Sequence, residues 1–238
     1  MPDFKPLNPR VVLGIAAHPD DLDFGASGTM AHFAENGADV YYLILTDGSK
    51  GSDDKSLSSD ELIKIRETEQ QAAVEAIGGK GVEFLGYPYA GLEVTMDLKK
   101  AIVKVIRKIK PDVVITMDPS MLYSAERGFI NHPDHRAAGQ AALDAVFPLS
   151  RDHLTFPDLY EAGYEPHKTA TILLINFEAG NHIINISSTM DKKLAALKAH
   201  QSQVDIDRVR PFVTEMATKI GGKAGYEMGE QFVRIDIN

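Results

Sequence analysis

The sequence predicts an α/β fold: a Rossmann-like, doubly wound, mostly parallel sheet with helices on both faces. Two observations predict it. Short apolar runs rich in β-branched residues recur along the chain, and stretches of ten or more residues with helical spacing separate most of them. Strand, crossover and strand in that alternation close right-handed into parallel sheets covered on both sides.

The elements follow in order. Val11-Val12-Leu13-Gly14-Ile15-Ala16-Ala17 is nearly continuous and apolar, as a strand buried on both faces must be. Ser27 to Asn36 reads as a helix with Gly37 as its C′ residue. Asp39 to Thr46 is a second strand, and Asp47 to Ser52 is turn chemistry. Ser58 or Ser59 caps a long helix that runs through about Ile77 and ends at Gly78-Gly79. Val82 to Gly86 is a short strand. Leu98 to Ile109 carries Ile102, Val105, Ile106 and Ile109 at helical spacing, Pro111 closes it, and Val113 to Met117 is the next strand. Pro133 to Phe147 is a helix with proline in its first turn, and Leu149 to Lys168 is irregular. Thr171 to Phe177 and Ile183 to Ile186 are strands, Met190 to Ser202 a helix, and Gly221 to Asn238 Gly-rich and then β-like. No repeat or linker interrupts the chain, so residues 1–238 are expected to form a single domain.

Composition narrows the function. Of the 238 residues 44% are hydrophobic and 25% charged, a globular mix. The chain has no cysteine, which excludes a thiolate zinc finger, an iron–sulfur centre and a cysteine nucleophile, and agrees with a cytoplasmic location. A net charge of −9 with no basic block argues against nucleic acid or an anionic membrane as partner. Met1 to Arg10 lacks the apolar core of a signal peptide. Val11 to Ala17 falls far short of a bilayer span, so stable membrane insertion is not expected.

In an open parallel sheet, ligands bind beyond the carboxyl ends of the strands. His18-Pro19-Asp20-Asp21 follows the first strand, Asp47-Gly48 the second, and Asp118 and then Asn131-His132-Pro133-Asp134-His135 the fourth. One His-Pro-Asp is commonly a turn that caps a helix. Two of them, each after a strand of an alternating pattern, point to one rim rich in imidazole and carboxylate. Two imidazoles and a carboxylate make a Zn²⁺ ligand set that leaves positions open for water and substrate, and a further carboxylate beside it can act as general base.

With these motifs the chain resembles the zinc-dependent de-N-acetylases of the LmbE-like (PIG-L) family. The likeness rests on Ala17-His18-Pro19-Asp20-Asp21, Thr46-Asp47-Gly48 and His132-Pro133-Asp134-His135. It extends through Arg66-Glu67-Thr68-Glu69, Phe84 to Pro88, Lys110 to Val114 and Ala199 to Gln203. It implies hydrolysis of an N-acetyl group on an N-acetylglucosamine-type sugar or its conjugate by metal-bound water. His18, Asp21 and His135 would hold Zn²⁺, or Fe²⁺; Asp20 would be the base and then the proton donor to the amine. His132, protonated and oriented by Asp134, would stabilise the oxyanion, and Arg66 would hold a sugar hydroxyl. The resemblance also implies a homo-oligomer.

The chain departs from the family pattern in places. Leu22 follows the paired aspartates where the family often has Glu. Ala90 stands where many relatives place a sugar-contacting Asp, and Asp118 is the expected substitute. Met228-Gly229-Glu230-Gln231-Phe232 keeps Glu and Phe but has lost a Tyr. Three other readings remain: an amidase for a thiol–sugar conjugate or another acylated amine, a non-catalytic sugar-binding relative, and a nucleotide-dependent oxidoreductase. The last lacks the G-x-G-x-x-G order at Gly25 to Gly28. His32, His153, His167 and His182 read as ordinary structural or surface residues, and His200 as a pocket, subunit-contact or helix-end residue.

Overall fold

A computed structural model describes residues 4–52, 54–125 and 128–237. Its strands are β1 (Val11–Ala16), β2 (Asp39–Thr46), β3 (Gly81–Tyr87), β4 (Val113–Met117), the paired short strands β5 (Tyr123–Ser124) and β6 (Phe129–Ile130), β7 (Thr171–Ile175), β8 (His182–Asn185) and β9 (Gly229–Asp236). The helices are α1 (Asp21–Gly25), α2 (Ser27–Glu35), α3 (Ser59–Ala76), α4 (Met96–Ile109), α5 (Pro133–Asp144), α6 (Pro157–Glu161), α7 (Met190–Ala199) and α8 (Ile206–Gly222).

Seven strands form one sheet in the order β3-β2-β1-β4-β7-β9-β8. The first five run parallel, as the alternation of strands and long crossovers requires. β9 enters antiparallel between β7 and β8, so the sheet is mostly parallel. The apolar run of β1 is buried nearly throughout, which places it at the centre. One core joins the sheet to α2, α3 and α7 through Met30, Phe33, Ala73, Val74 and Ala196. The other joins it to α4 and α5 through Leu98, Ile102, Ile106, Ala138 and Ala141. Both faces are therefore covered, as expected.

Local signals explain the ends of the helices. Ser58 caps α3 in a reciprocal capping box with Glu61, and Thr95 caps α4, which starts at Met96, two residues before the expected start. α5 stops at Asp144. The wide turn over Ala145–Leu149 follows, where Phe147 is extended (φ −141°, ψ 121°) as a residue before proline prefers. The segment expected to be irregular contains α6, and the helix expected to reach Ser202 ends at Ala199. The pattern also missed α8, which contains Pro211 and whose buried face is only Val213, Ala217, Ile220 and Gly221. Asn238, the end of the expected β-like stretch, lies outside the described residues. α5 sits unusually close to the end of β4: a Cβ at Gly139 would collide with the carbonyl oxygen of Met117.

Candidate metal centre and active site

The turn after β1 carries the first group of polar residues. It is tightened by His18 N donating to Asp21 Oδ2 at 2.8 Å and by Asp20 adopting a left-handed φ of 89°. Such a conformation is costly for a residue with a Cβ and persists where surroundings impose it. Here Asp20 N donates to Gln70 Oε1 of α3 at 3.0 Å. The second group stands at the start of α5. His132 is its N-cap, accepting from Asp134 N at 3.2 Å through Nδ1, and His135 lies one turn further on.

The two groups meet. His18 Nδ1 lies 3.2 Å from His135 Nε2, His135 Nε2 3.0 Å from Asp21 Oδ1, and His18 Nδ1 3.5 Å from Asp21 Oδ2. Ligands about 2.1 Å from a tetrahedral ion sit about 3.4 Å from one another, so this triangle has the size of a coordination face. His132 is a looser fourth member: a ring nitrogen from each of His18, His132 and His135 falls within 4.8 Å of the others.

The donor chemistry fits a cation. His18 Nε2 lies 3.0 Å from Asp134 Oδ2, an acceptor only, so the ring hydrogen belongs there and Nδ1 is left with a lone pair. Asn131 Nδ2 donates to Met121 O at 2.8 Å, which turns its Oδ1 towards His135 Nδ1 at 3.2 Å. His135 Nε2 therefore also presents a lone pair. Two lone pairs and a carboxylate facing one centre repel unless positive charge sits among them. Fixing the ring through its outer nitrogen is what supporting partners of metal-bound histidines do.

Electrostatics follow the same geometry. Burial opposes charge on His18, yet hydrogen bonds and charge from Asp21 and Asp134 raise its pKa. Burial also opposes ionisation of Asp21, but His135 and His18 hold it well below the usual carboxylate range. Asp20 is pushed up to about 7 by burial and by the Asp21 charge, against the pull of Arg66. Burial and the neighbouring His18 lower the pKa of His132.

Three expected roles change. Asp134 does not turn its carboxylate to the His132 ring, which is 3.8 Å away. It holds His18 and accepts from Ala90 N and Leu92 N at 2.7 and 3.1 Å. His132 is thus oriented by the Asp134 backbone N, which its Nδ1 accepts from, and not by the Asp134 carboxylate. Arg66 is 3% exposed, and its guanidinium donates to Pro19 O at 2.8 Å and Gly48 O at 3.2 Å, with Asp20 Oδ2 at 3.4 Å. It braces the turns that build the site. Asp118 lines the neighbouring cavity, but Oδ1 accepts from Ser120 N and Oγ at 2.8 and 2.6 Å and Oδ2 from Asn176 Nδ2 at 2.7 Å.

Sequence reading missed Tyr89, whose ring packs 4.6 Å from that of His18, and Gln70, which holds Asp20. It also missed Asp23, the buried acceptor of Tyr42, Gln70 and His200. The alternation Asp20-Asp21-Leu22-Asp23 was the available signal, since a carboxylate within a buried turn needs donors. His200 is both a helix-end residue, as C-cap of α7, and part of this network. Among the described residues no helix is long and apolar enough to cross a membrane.

Comparison with known proteins places these observations in context. The family model described as PIG-L, GlcNAc-PI de-N-acetylase, matches residues 13–146. A diacetylchitobiose deacetylase of Thermococcus kodakarensis is 34% identical over 96% of this chain and 85% of its own. A 1D-myo-inositol 2-acetamido-2-deoxy-alpha-D-glucopyranoside deacetylase of Acidothermus cellulolyticus is 29% identical over 90% of this chain and 86% of its own. The solved N,N'-diacetylchitobiose deacetylase from Pyrococcus horikoshii superposes with a TM-score of 0.87 at 32% identity, covering 96% of this chain and 85% of that one.

Proposed function

Because the chain belongs to the PIG-L, GlcNAc-PI de-N-acetylase, family, we propose that it is a metal-dependent hydrolase. It removes the N-acetyl group from an N-acetylglucosamine-type amino sugar or its conjugate. His18, Asp21 and His135 would hold a divalent ion, Zn²⁺ by the preference of that ion for nitrogen and oxygen donors in a tetrahedral set, or Fe²⁺. Such an ion, when bound, supplies Lewis acidity for the amide carbonyl and acidifies water.

The chain's own residues supply the rest. Asp20 adjoins the ligand triangle without belonging to it. It takes a proton from the attacking water and returns it to the departing nitrogen. The water oxygen bonds to the acyl carbon, the C–N bond breaks, and acetate and the free amine leave. His132 donates through Nε2–H to the oxygen on which charge develops, a contact typically worth about 10²–10³ in rate. Arg66 and Gln70 hold Asp20 from behind, and Asp134 and Asn131 fix the two ring tautomers.

The observation that carries this reading is the meeting of two lone-pair nitrogens and a carboxylate at 3.0–3.5 Å from chain segments more than a hundred residues apart. The test is amine release from a panel of N-acetylated amino sugars before and after chelation. Release that stops with chelator and returns with Zn²⁺ or Fe²⁺ is expected. Release indifferent to chelation, or none from any sugar with metal restored, overturns it.

A further inference from the structure

The buried face of α3 is Leu62, Arg66, Gln70, Ala73 and Val74. Two polar side chains on the buried stripe of a helix are costly unless partners meet them there. Arg66 and Gln70 stand one turn apart, so both can reach one neighbour. That neighbour is a single peptide unit. Arg66 Nη2 donates to Pro19 O at 2.8 Å, and Gln70 Oε1 accepts from Asp20 N at 3.0 Å. A peptide unit is planar, so gripping both its carbonyl and its N–H fixes its rotation.

The amide of Gln70 has one sense here. Its Nε2 donates to Asp23 Oδ2 at 2.9 Å, a carboxylate and hence an acceptor, which leaves Oε1 for Asp20. Tyr42 Oη and His200 Nε2 hold that carboxylate in turn, at 3.0 and 2.8 Å.

The aim of Asp20 depends on this grip. Its φ of 89° is left-handed, a conformation disfavoured about 5- to 150-fold for a residue with a Cβ when nothing imposes it. The carboxylate itself has only a longer tie, to Arg66 Nη2 at 3.4 Å. The metal-facing groups have ties that Gln70 does not touch: His18 Nε2 to Asp134, His18 N to Asp21 Oδ2, and His135 Nδ1 to Asn131.

On the hydrolase reading above, on which this inference rests, we propose that Gln70 is a positioning residue. It locks the Pro19–Asp20 peptide so that the Asp20 carboxylate faces the attacking water, and it touches neither substrate nor metal.

The test sets Gln70→Met, which keeps the length and loses both hydrogen bonds, beside Tyr42→Phe, which weakens the same Asp23 network without reaching Asp20. Gln70→Met is expected to lower kcat for amine release at least about fivefold, with KM and metal content by atomic absorption unchanged. Tyr42→Phe is expected to keep kcat and KM and to lower only the urea midpoint. Gln70→Asn, whose amide is one methylene too short to bridge Asp20 and Asp23, is expected to lose kcat likewise and serves where Gln70→Met does not fold. A second readout needs neither metal nor turnover: in crystals of the metal-free variant, Asp20 is expected to leave the left-handed region. An unchanged kcat, a rise in KM alone, an equal fall of kcat in Tyr42→Phe, or loss of metal together with kcat overturns the positioning role. So does an Asp20 that keeps its left-handed φ without Gln70. Failure of the hydrolase reading looks different: the unaltered protein releases no amine with metal restored, while Asp20 still shifts in the metal-free crystals.

Discussion

Two clusters of buried ionisable groups flank α1, and they differ in how their polar atoms are used. Behind the helix, Asp23 accepts from Tyr42 Oη, Gln70 Nε2 and His200 Nε2 at 3.0, 2.9 and 2.8 Å. Lys193 Nζ donates to Glu230 Oε1 at 2.6 Å and to the carbonyls of Asp23 and Phe24, and Glu230 receives Gly28 N and Thr29 N at the start of α2. In front of it, His18, Asp21 and His135 aim lone pairs at one another. The residue types are nearly the same. Near-complete pairing, with His200 Nδ1 left without a partner, marks the rear cluster as scaffold, since buried charge is tolerated when its partners are supplied. Facing acceptors mark the front cluster as a place built for something else to enter. Gln70 joins the two, with Nε2 on Asp23 and Oε1 on Asp20 N.

This contrast can be broken at either end. Asp20→Asn attacks the front alone: kcat is expected to fall by about 10²–10⁴, with metal content by atomic absorption and the urea midpoint unchanged. Retained turnover would deny Asp20 its role. Lys193→Met attacks the rear. Leaving Glu230 buried without its cation is expected to cost about 3–5 kcal/mol of unfolding free energy, read by urea denaturation; a loss under about 1 kcal/mol would show that Gly28 and Thr29 suffice. Tyr42→Phe takes only one donor from Asp23 and is expected to cost about 1–3 kcal/mol. An equal loss in the two rear variants would mean that the network fails as a unit.

Much of this was readable in the chain. The alternation of runs such as Val11 to Ala17 with capped helices fixed the parallel half of the sheet, because periodicity and cap chemistry are local. The pair of His-Pro-Asp motifs located the cluster of His18, Asp21, His132 and His135, because strand ends share a rim. What was not readable depends on long-range placement. The carboxylate of Asp134 turns to His18 because Ala90 N and Leu92 N meet it from the β3 side, and no spacing within His132 to His135 encodes that. Arg66 faces inward because Pro19 and Gly48 offer carbonyls to it. Glu230 could be seen to persist in the chain, but not that Lys193 and the start of α2 await it. α8 escaped because Pro211 and a sparse apolar face blur its period.

The close seating of α5 on β4 has a consequence for the cluster of histidines and carboxylates. His132 and His135 ride on that helix, and its distance from the sheet is set by the missing side chain of Gly139 against Met117 O. The placement of His132 and His135 thus depends on the lack of a Cβ at Gly139, where backbone meets backbone in close contact. A single added carbon there would act as a wedge, prising His132 and His135 away from His18 and Asp21.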